Sequence, residues 1–401
     1  MEVPSTFVED YVLQLQKGSF DQIQGFVKVN GASNDEAVTI EIPEVGLKKT
    51  VRTDATGLAR ISFPVQVQLW SPERPKRYEV VIITQGHSIS DRIGFRSIET
   101  RGSDIFLNGK PIFLRGISIH EESPLRGGRA FSEDDARMLL GWARELGCNF
   151  VRLAHYPHNE NMVRLADEMG IMIWAEIPVY WTILWDNQET LRNAQSQLSE
   201  LITRDRNRAS VILWSVANET PVGEARNSFL KSLIDSARAL DPTRLLTAAN
   251  ERHYADPATQ VIDDPLGQYL DVLGCNEYVG WYDGLPEKAD GLTWKVTLNK
   301  PLIISEFGAD ALFGKHGDKA QRWTEEYQKT VYEHQIAMLR KISSLRGMSP
   351  WILTDFRSPR RPLPGIQDFF NRKGLISSRG ERKQAFFVLQ KFYRELMSER
   401  K

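Results

Sequence analysis

The strongest constraint on this chain is a change of rhythm near residue 98. From there onward, short apolar runs of strand length alternate with amphipathic runs of helix length. FLRGISI is followed by SEDDARMLLGWARELG, NFVRLAH by NENMVRLADEMG, and IMIWAEI by QETLRNAQSQLSELITRDR. VILWSVANE, LLTAAN, DVLGCNEY, PLIISEF and MSPWILT continue the series. Eight buried strands with intervening helices over about 300 residues predict a (β/α)8 TIM barrel spanning 99–401. An open doubly wound sheet is the alternative, but no GxGxxG follows the first strand and no Walker A loop is present. The first helix carries its own boundaries. Ser132 can cap it, Glu133, Asp134 and Asp135 complement its positive end, and Gly147 ends it. Apolar residues at 136, 139, 140, 143 and 146 fall on one face.

Residues 1–98 read differently. DYVLQLQKG, QGFVKVNG, AVTIEIP, LARISFPV, YEVVIIT and DRIGFRSIET have roughly period two, with turn signals at NG, DATG and QGHS. About seven strands in about a hundred residues predict an immunoglobulin-like sandwich. Nothing in this segment has the look of chemistry, so it is expected to support or position. The fold class is therefore multi-domain, an all-β sandwich at 1–98 followed by the barrel at 99–401.

Composition narrows the function by exclusion. A net charge of -1 on 401 residues lacks the basic excess of a nucleic-acid or membrane-surface binder. Cys148 and Cys275 are the two cysteines, and both sit in apolar surroundings that predict buried thiols rather than a disulfide framework. MEVPSTFVED has neither a basic nor an apolar leader segment, and no run approaches 18 apolar residues. No signal peptide or membrane span is expected, and the compartment stays unassigned.

In a barrel, chemistry collects where strands end at the C-terminal face. Read that way, the strand ends present His120-Glu121-Glu122, then Arg152 with His155 and His158, then Glu176, Asn218-Glu219, Asn276-Glu277-Tyr278, Glu306, and finally Trp351 and Asp355. No serine sits in a nucleophile elbow, and HEE and HYPH lack metal-site spacing, so neither metal nor cofactor is expected. His120 and His155 suit hydrogen bonding to a ligand, or structural roles. A strand ending in Glu is often only half of a salt bridge. Two such ends, Glu219 and Glu306, among Asn, Tyr, Trp and His, fit a carboxylate pair with divided proton roles, as glycoside hydrolysis requires. The stretch VYWTILW supplies Tyr180 and Trp181 as a stacking wall for a leaving group, with Trp185 equally suited to the core.

LNGKPIFLRGISIHEES, NFVRLAHYPH, VILWSVANE, CNEYVGWYDG and PLIISEFGAD together resemble glycoside hydrolase family 2, which includes β-glucuronidases, β-galactosidases and β-mannosidases. Residues 1–98 resemble that family's immunoglobulin-like middle domain. The resemblance implies that Glu219 is the general acid/base and Glu306 the nucleophile of a retaining exo-glycosidase, with Asn218 on the sugar 2-hydroxyl. FNRKGL resembles the Asn-x-Lys motif of β-glucuronidases, implying that Asn371 and Lys373 hold a uronic acid carboxylate. His155, Asn276, Tyr278, Tyr282 and Trp351 fall where glucuronidases contact the sugar.

Two departures qualify this. Gln367 stands where glucuronidases commonly have Arg, and Arg357, Arg360 and Arg361 lie nearby as replacements, polysaccharide contacts or solvated surface. The family's leading jelly-roll domain is not matched, so either a fragment or a short member is expected. The expected partner is a carbohydrate, probed first as a β-glucuronide. A β-galactosidase, a β-galacturonidase and an inactive carbohydrate-binding scaffold are the alternatives, and a homo-oligomer is compatible with any of them.

Overall fold

A computed structural model describes residues 6–31 and 35–398. Seven strands of the N-terminal segment form two antiparallel sheets, one of three strands and one of four. The first pairs Gln22–Asn30 with Phe7–Leu15 on one side and Leu58–Pro64 on the other. The second runs Leu47–Arg52, Ala37–Ile42, Tyr78–Ile83, Ser88–Ile93. Alternate residues such as Val38, Ile40 and Ile42 turn inward and are fully buried, which is the period-two signal at work. They meet Ile23, Val27 and Ile61 of the facing sheet in one core.

The predicted strand at 91–100 is instead broken. Ser88–Ile93 ends in the four-stranded sheet, and Ile98–Arg101 begins a separate hairpin sheet with Asp104–Leu107 and Lys110–Ile112. The apolar side of this hairpin, Ile98, Ile105 and Leu107, packs with Trp70 against Phe150, Trp174, Leu213 and Ile303. It closes the floor of the next unit.

That unit is a sheet of parallel strands whose order begins with Leu114–Arg115 and ends with Ser118–Ile119. These two are halves of one strand, so the sheet closes on itself as a barrel. The remaining strands are Phe150–Leu153, Met172–Glu176, Val211–Asn218, Leu245–Asn250, Leu273–Asn276, Leu302–Glu306 and Leu345–Met348. Gly116, at the seam, must be glycine: a Cβ there would lie 2.5 Å from Phe150 and 2.6 Å from the Met348 carbonyl. The first helix, Glu133–Leu146, starts on a reciprocal Ser132–Asp135 capping box and stops at Gly147 in the left-handed conformation.

Two expectations fail. The eighth strand is Leu345–Met348, so the WILT of MSPWILT lies beyond it, on the rim. No α-helix follows the fifth or sixth strand among the described residues. After the fifth come the strands His253–Asp256 and Thr259–Ile262 and a 3-10 turn, Pro265–Tyr269. After the sixth come the 3-10 turn Pro286–Gly291 and Thr293–Val296, which pairs with Thr259–Ile262. Prolines open both turns, and neither segment offers an apolar stripe long enough for a helix.

The sandwich grips the barrel at the foot of its fourth strand. Between the helix Gln188–Asp205 and Val211–Asn218, Asn207 accepts the Leu13 N–H at 3.0 Å and donates to the Tyr11 carbonyl at 2.9 Å. Arg208 pairs with buried Asp91, Arg206 with Asp10, and Arg96 donates to the Ala209 and Val211 carbonyls. Trp70, fully buried, donates its indole N–H to the Asp167 carbonyl at 2.8 Å. Trp70→Ala would remove a large buried side chain from both the floor and this junction. It should destabilise the protein by about 3–5 kcal/mol, read as a lower Tm in thermal unfolding. An unchanged Tm would mean that the junction contributes nothing to stability.

Candidate active site

The C-terminal ends of the barrel strands surround a cavity of about 880 Å³. Of the predicted site residues His120, His155, Asn218, Glu219, Asn276, Tyr278, Tyr282, Glu306, Trp351, Asn371 and Lys373, all but Asn276 line it. Asn276, nearly buried, bonds to two of the lining residues instead. Its amide N–H2 bridges Asn218 Oδ1 at 3.1 Å and Glu219 Oε1 at 3.0 Å, while its own oxygen accepts from Ser305 at 2.7 Å.

Glu219 is the residue immediately after the fully buried strand Val211–Asn218. Its backbone sits at φ 50°, a left-handed conformation that costs a side-chain-bearing residue about 1–3 kcal/mol. The turn is held by the Glu219 N–H donating to the Ala249 carbonyl at 3.0 Å on the neighbouring strand. The carboxylate receives Asn276 on one oxygen and the Trp181 indole N–H, at 3.0 Å, on the other.

Glu306 closes its strand three positions further round the barrel. Tyr278 donates to Oε2 at 2.7 Å and Arg152 to Oε1 at 2.9 Å, and His155 Nε2 lies 3.6 Å from Oε1. Burial raises the pKa of Glu306, Arg152 opposes that rise, and the nearby charge of Glu219 adds to it. Tyr278, buried against this carboxylate, has its own hydroxyl pushed well up.

Arg152 joins these pieces. It has no exposed surface and donates to Glu176 from Nε at 3.0 Å and from NH2 at 3.1 Å, to Glu306, and to Asn218 Oδ1 at 2.7 Å. Because a guanidinium has no acceptor, the Asn218 atom facing it must be the oxygen, which leaves the Asn218 N–H2 for a ligand. Burial works against ionisation of Glu176, yet Arg152 and His155 hold its carboxyl at about 2. His155 Nδ1 lies 2.7 Å from a Glu176 oxygen that can only accept and 3.2 Å from an Arg152 nitrogen that can only donate; the shorter contact places the proton on Nδ1 and leaves Nε2 toward Glu306. The ring of His155 stacks on Trp351 at 4.8 Å. His120 stacks on Phe356 at 4.2 Å, and burial beside His155 and His158 lowers it to about 3, so it is neutral.

In the sequence Arg152 is one of the strand-end residues, with little to mark it as the hub. A lone Arg within the apolar strand Phe-Val-Arg-Leu was its only signal, and the carboxylates it joins lie far apart in the chain.

A second cluster builds the corner around the NRKG turn. Lys373, 1% exposed, has Nζ 2.6 Å from Asp310 Oδ2 and donates to Tyr282 Oη at 2.7 Å. It also lies 4.7 Å from the Tyr282 ring centroid and 5.6 Å from that of Trp281. Asn371 Oδ1 accepts the Lys373 backbone N–H at 3.0 Å. Asp310 Oδ1 accepts the Arg372 N–H at 2.9 Å, and buried Lys383 donates to Asp355 at 2.8 Å and to the Arg372 carbonyl at 2.8 Å. Gly374 runs against residues 354 and 355 so closely that a Cβ would meet the Asp355 nitrogen at 2.1 Å. Gln367 is buried and does not line the cavity, whereas Arg360 and Arg361 do. Of the aromatic stretch, Tyr180 and Trp181 line the cavity, while Trp185 packs edge-on to Phe229 in the core.

The arrangement offers two carboxylates with unlike surroundings, one clasped by a buried guanidinium and a phenol, the other by an amide and an indole, opening on a polar, aromatic-walled cavity. Residues 98–398 match the family described as glycosyl hydrolases family 2, TIM barrel domain. The β-glucuronidase of Mus musculus is 30% identical over 422 residues, covering 99% of this chain and 63% of that protein. The chain thus spans 63% of the length of that relative. A β-galacturonidase from Eisenbergiella tayi bound to galacturonate superimposes with a TM-score of 0.85 at 24% identity, over 98% of this chain and 73% of that one. A β-glucuronidase from Ruminococcus gnavus in complex with D-glucuronic acid gives 0.82 at 24% identity, over 98% and 68%. At these identities the structural likeness speaks for the fold, and the family follows from the sequence match over the barrel: this chain belongs to glycosyl hydrolases family 2.

Proposed function

We propose that the chain is a retaining exo-β-glycosidase that removes terminal β-linked uronic acid, with β-glucuronides as its sugar, through a covalent glycosyl-enzyme. The observation that carries this reading is a single cavity lined by two carboxylates, Glu219 and Glu306, and by Asn371 and Lys373. Glu306 attacks the anomeric carbon. Glu219 gives a proton to the bridging oxygen, then takes one from the water that releases the sugar. Retention needs carboxylates about 5–5.5 Å apart. In support, each carboxylate shares a donor with Asn218 Oδ1: Glu306 through Arg152, Glu219 through Asn276. The free Asn218 amide then meets the 2-hydroxyl, a contact that tightens as the ring flattens toward the oxocarbenium ion. His155 Nε2, with its ring stacked in place by Trp351, is then an acceptor for a sugar hydroxyl.

Asn371 and Lys373 would hold the carboxylate, which a neutral hexose lacks. Family membership and the names of the relatives support a uronide. Galacturonides differ from glucuronides only in the configuration of one hydroxyl, so this corner serves both. On the same reading, residues 1–98 are an immunoglobulin-like sandwich and 99–401 the catalytic barrel. The sandwich fixes the foot of the strand that carries Asn218 and Glu219.

A panel of chromogenic β-glycosides tests the sugar: the highest kcat/KM is expected on the glucuronide, and faster turnover of a neutral β-galactoside would overturn the assignment. A 2-deoxy-2-fluoro uronide should add one glycosyl mass to the intact protein, borne on Glu306 and absent in Glu306→Gln. Attachment elsewhere would remove Glu306 from its role. Glu219→Gln should lower kcat/KM, which reports the glycosylation step, about 10²–10⁴-fold on leaving groups that need a proton and much less on nitrophenol. An equal loss on both would exclude Glu219 as the acid.

The pH profile carries its own sign. Glu306 must be ionised to attack, and burial raises its pKa, so the acid limb of kcat/KM lies above the range of an ordinary glutamate. The Tyr278 hydrogen bond lowers that pKa. Tyr278→Phe should therefore move the acid limb to higher pH while reducing kcat/KM about tenfold or more. A limb that stays put or moves down would show that the limb does not report Glu306.

A further inference from the structure

Arg360 and Arg361 are neighbours in the chain and serve different parts of the cavity that both of them line. Arg361 NH2 donates to Tyr282 Oη at 2.9 Å, the oxygen that Lys373 Nζ also reaches. The Arg360 guanidinium lies 5.5 Å from the ring centroid of Trp181, whose indole N–H is bonded to Glu219. Among the described residues neither arginine is paired with a carboxylate.

The charge count at the NRKG corner matters here. Lys373 and Asp310 form a buried pair whose charges cancel. An entering carboxylate therefore meets a neutral pair and one net cation, Arg361. On the other side, Glu219 must reach the bridging oxygen to protonate it, so whatever is attached beyond that oxygen lies past Glu219. Trp181 stands there, 49% exposed, with Arg360 against it. An exposed indole suits the face of a sugar ring, and a guanidinium beside it suits an anionic substituent.

We propose that the two arginines read two anions, one on each side of the bond that is cut: Arg361 the carboxylate of the sugar, and Arg360 an anionic group on the leaving sugar. The substrate class is then a uronide joined to an acidic unit, an oligosaccharide with negative charge on both sides of the scissile linkage. This inference rests on the uronide-hydrolase reading and deepens it.

The test compares two ratios of kcat/KM in the wild type, Arg360→Gln and Arg361→Gln. The first ratio sets an aryl β-uronide against the matching neutral β-hexoside. The second sets β-uronyl disaccharides with a carboxylated or sulfated leaving sugar against the neutral one. Arg361→Gln should lower the first ratio about tenfold or more, and Arg361→Lys should restore part of it. Where hexoside turnover is too slow to measure, inhibition by free uronic acid reads the same contact, with Ki rising by a similar factor.

Arg360→Gln should lower the second ratio about three- to tenfold, an effect that fades at 1 M salt as expected of an exposed charge with a screening length of about 3 Å. A loss on the carboxylated sugar, the sulfated sugar or both supports the proposal and identifies the anion. Ratios that stay at the wild-type value in both variants overturn the two-anion reading while leaving the uronide assignment intact. A wild-type enzyme that cleaves neutral hexosides and no uronide overturns the functional reading itself.

Discussion

A guanidinium without an exposed atom, Arg152, sits where the strands carrying Glu176, Asn218 and Glu306 converge, and donates to all three. Burying an ion costs several kcal/mol, and this one is compensated only because each face of its fork meets an acceptor. The division of its bonds has a chemical consequence. Glu176 takes two of them and holds most of the charge, so Glu306 feels a cation already largely neutralised. If Glu176 were absent, the full charge would fall on Glu306 and depress its pKa. With Glu176 in place, burial wins and the Glu306 pKa stays raised. Glu176 is thus a positioning and tuning group, and the same carboxylate fixes which nitrogen of His155 bears the proton.

The other carboxylate depends on mechanical support. A glutamate at φ 50° is held only if its surroundings over-determine it. The strand behind it is buried at every position, and its top is bonded across to Ala249. Its foot is tied to the sandwich by Asn207, Arg208 and Arg96. The N-terminal sheets thus support the site although none of their described residues lines the cavity. They fix the origin of the strand from which Glu219 is aimed.

What could be read from the sequence follows the range of the forces involved. Local rules set the capping box at Ser132 and the stop at Gly147. Burial patterning set most barrel strands, and the strand ends located Glu219 and Glu306, both of which line the cavity. The segments after the fifth and sixth strands broke the expected rhythm because proline-led turns and a small side sheet replaced helices there. Long-range pairing was the harder part. The bonds of the Asn276 amide to Asn218 and Glu219 had no signal in the chain, because packing between strands brings these residues together. Likewise the NRKG turn displayed a lysine, and only the fold supplies Asp310, sixty-three positions earlier, that cancels it.

That cancellation explains how a charged corner can wait without ligand. A lone buried ammonium would be costly enough to lose its proton or open the turn. Lys373 is instead held by Asp310 and ringed by Tyr278, Trp281 and Tyr282, with its Nζ directed at the Tyr282 hydroxyl. Such a pair gives direction but little net attraction for an anion. On the two-anion proposal the attraction comes from a cation that water can solvate until substrate displaces it, which is the position of half-buried Arg361 on the rim. Rigidity from a buried neutral pair and charge from a solvated guanidinium are opposite demands, and the corner meets them with two different residues.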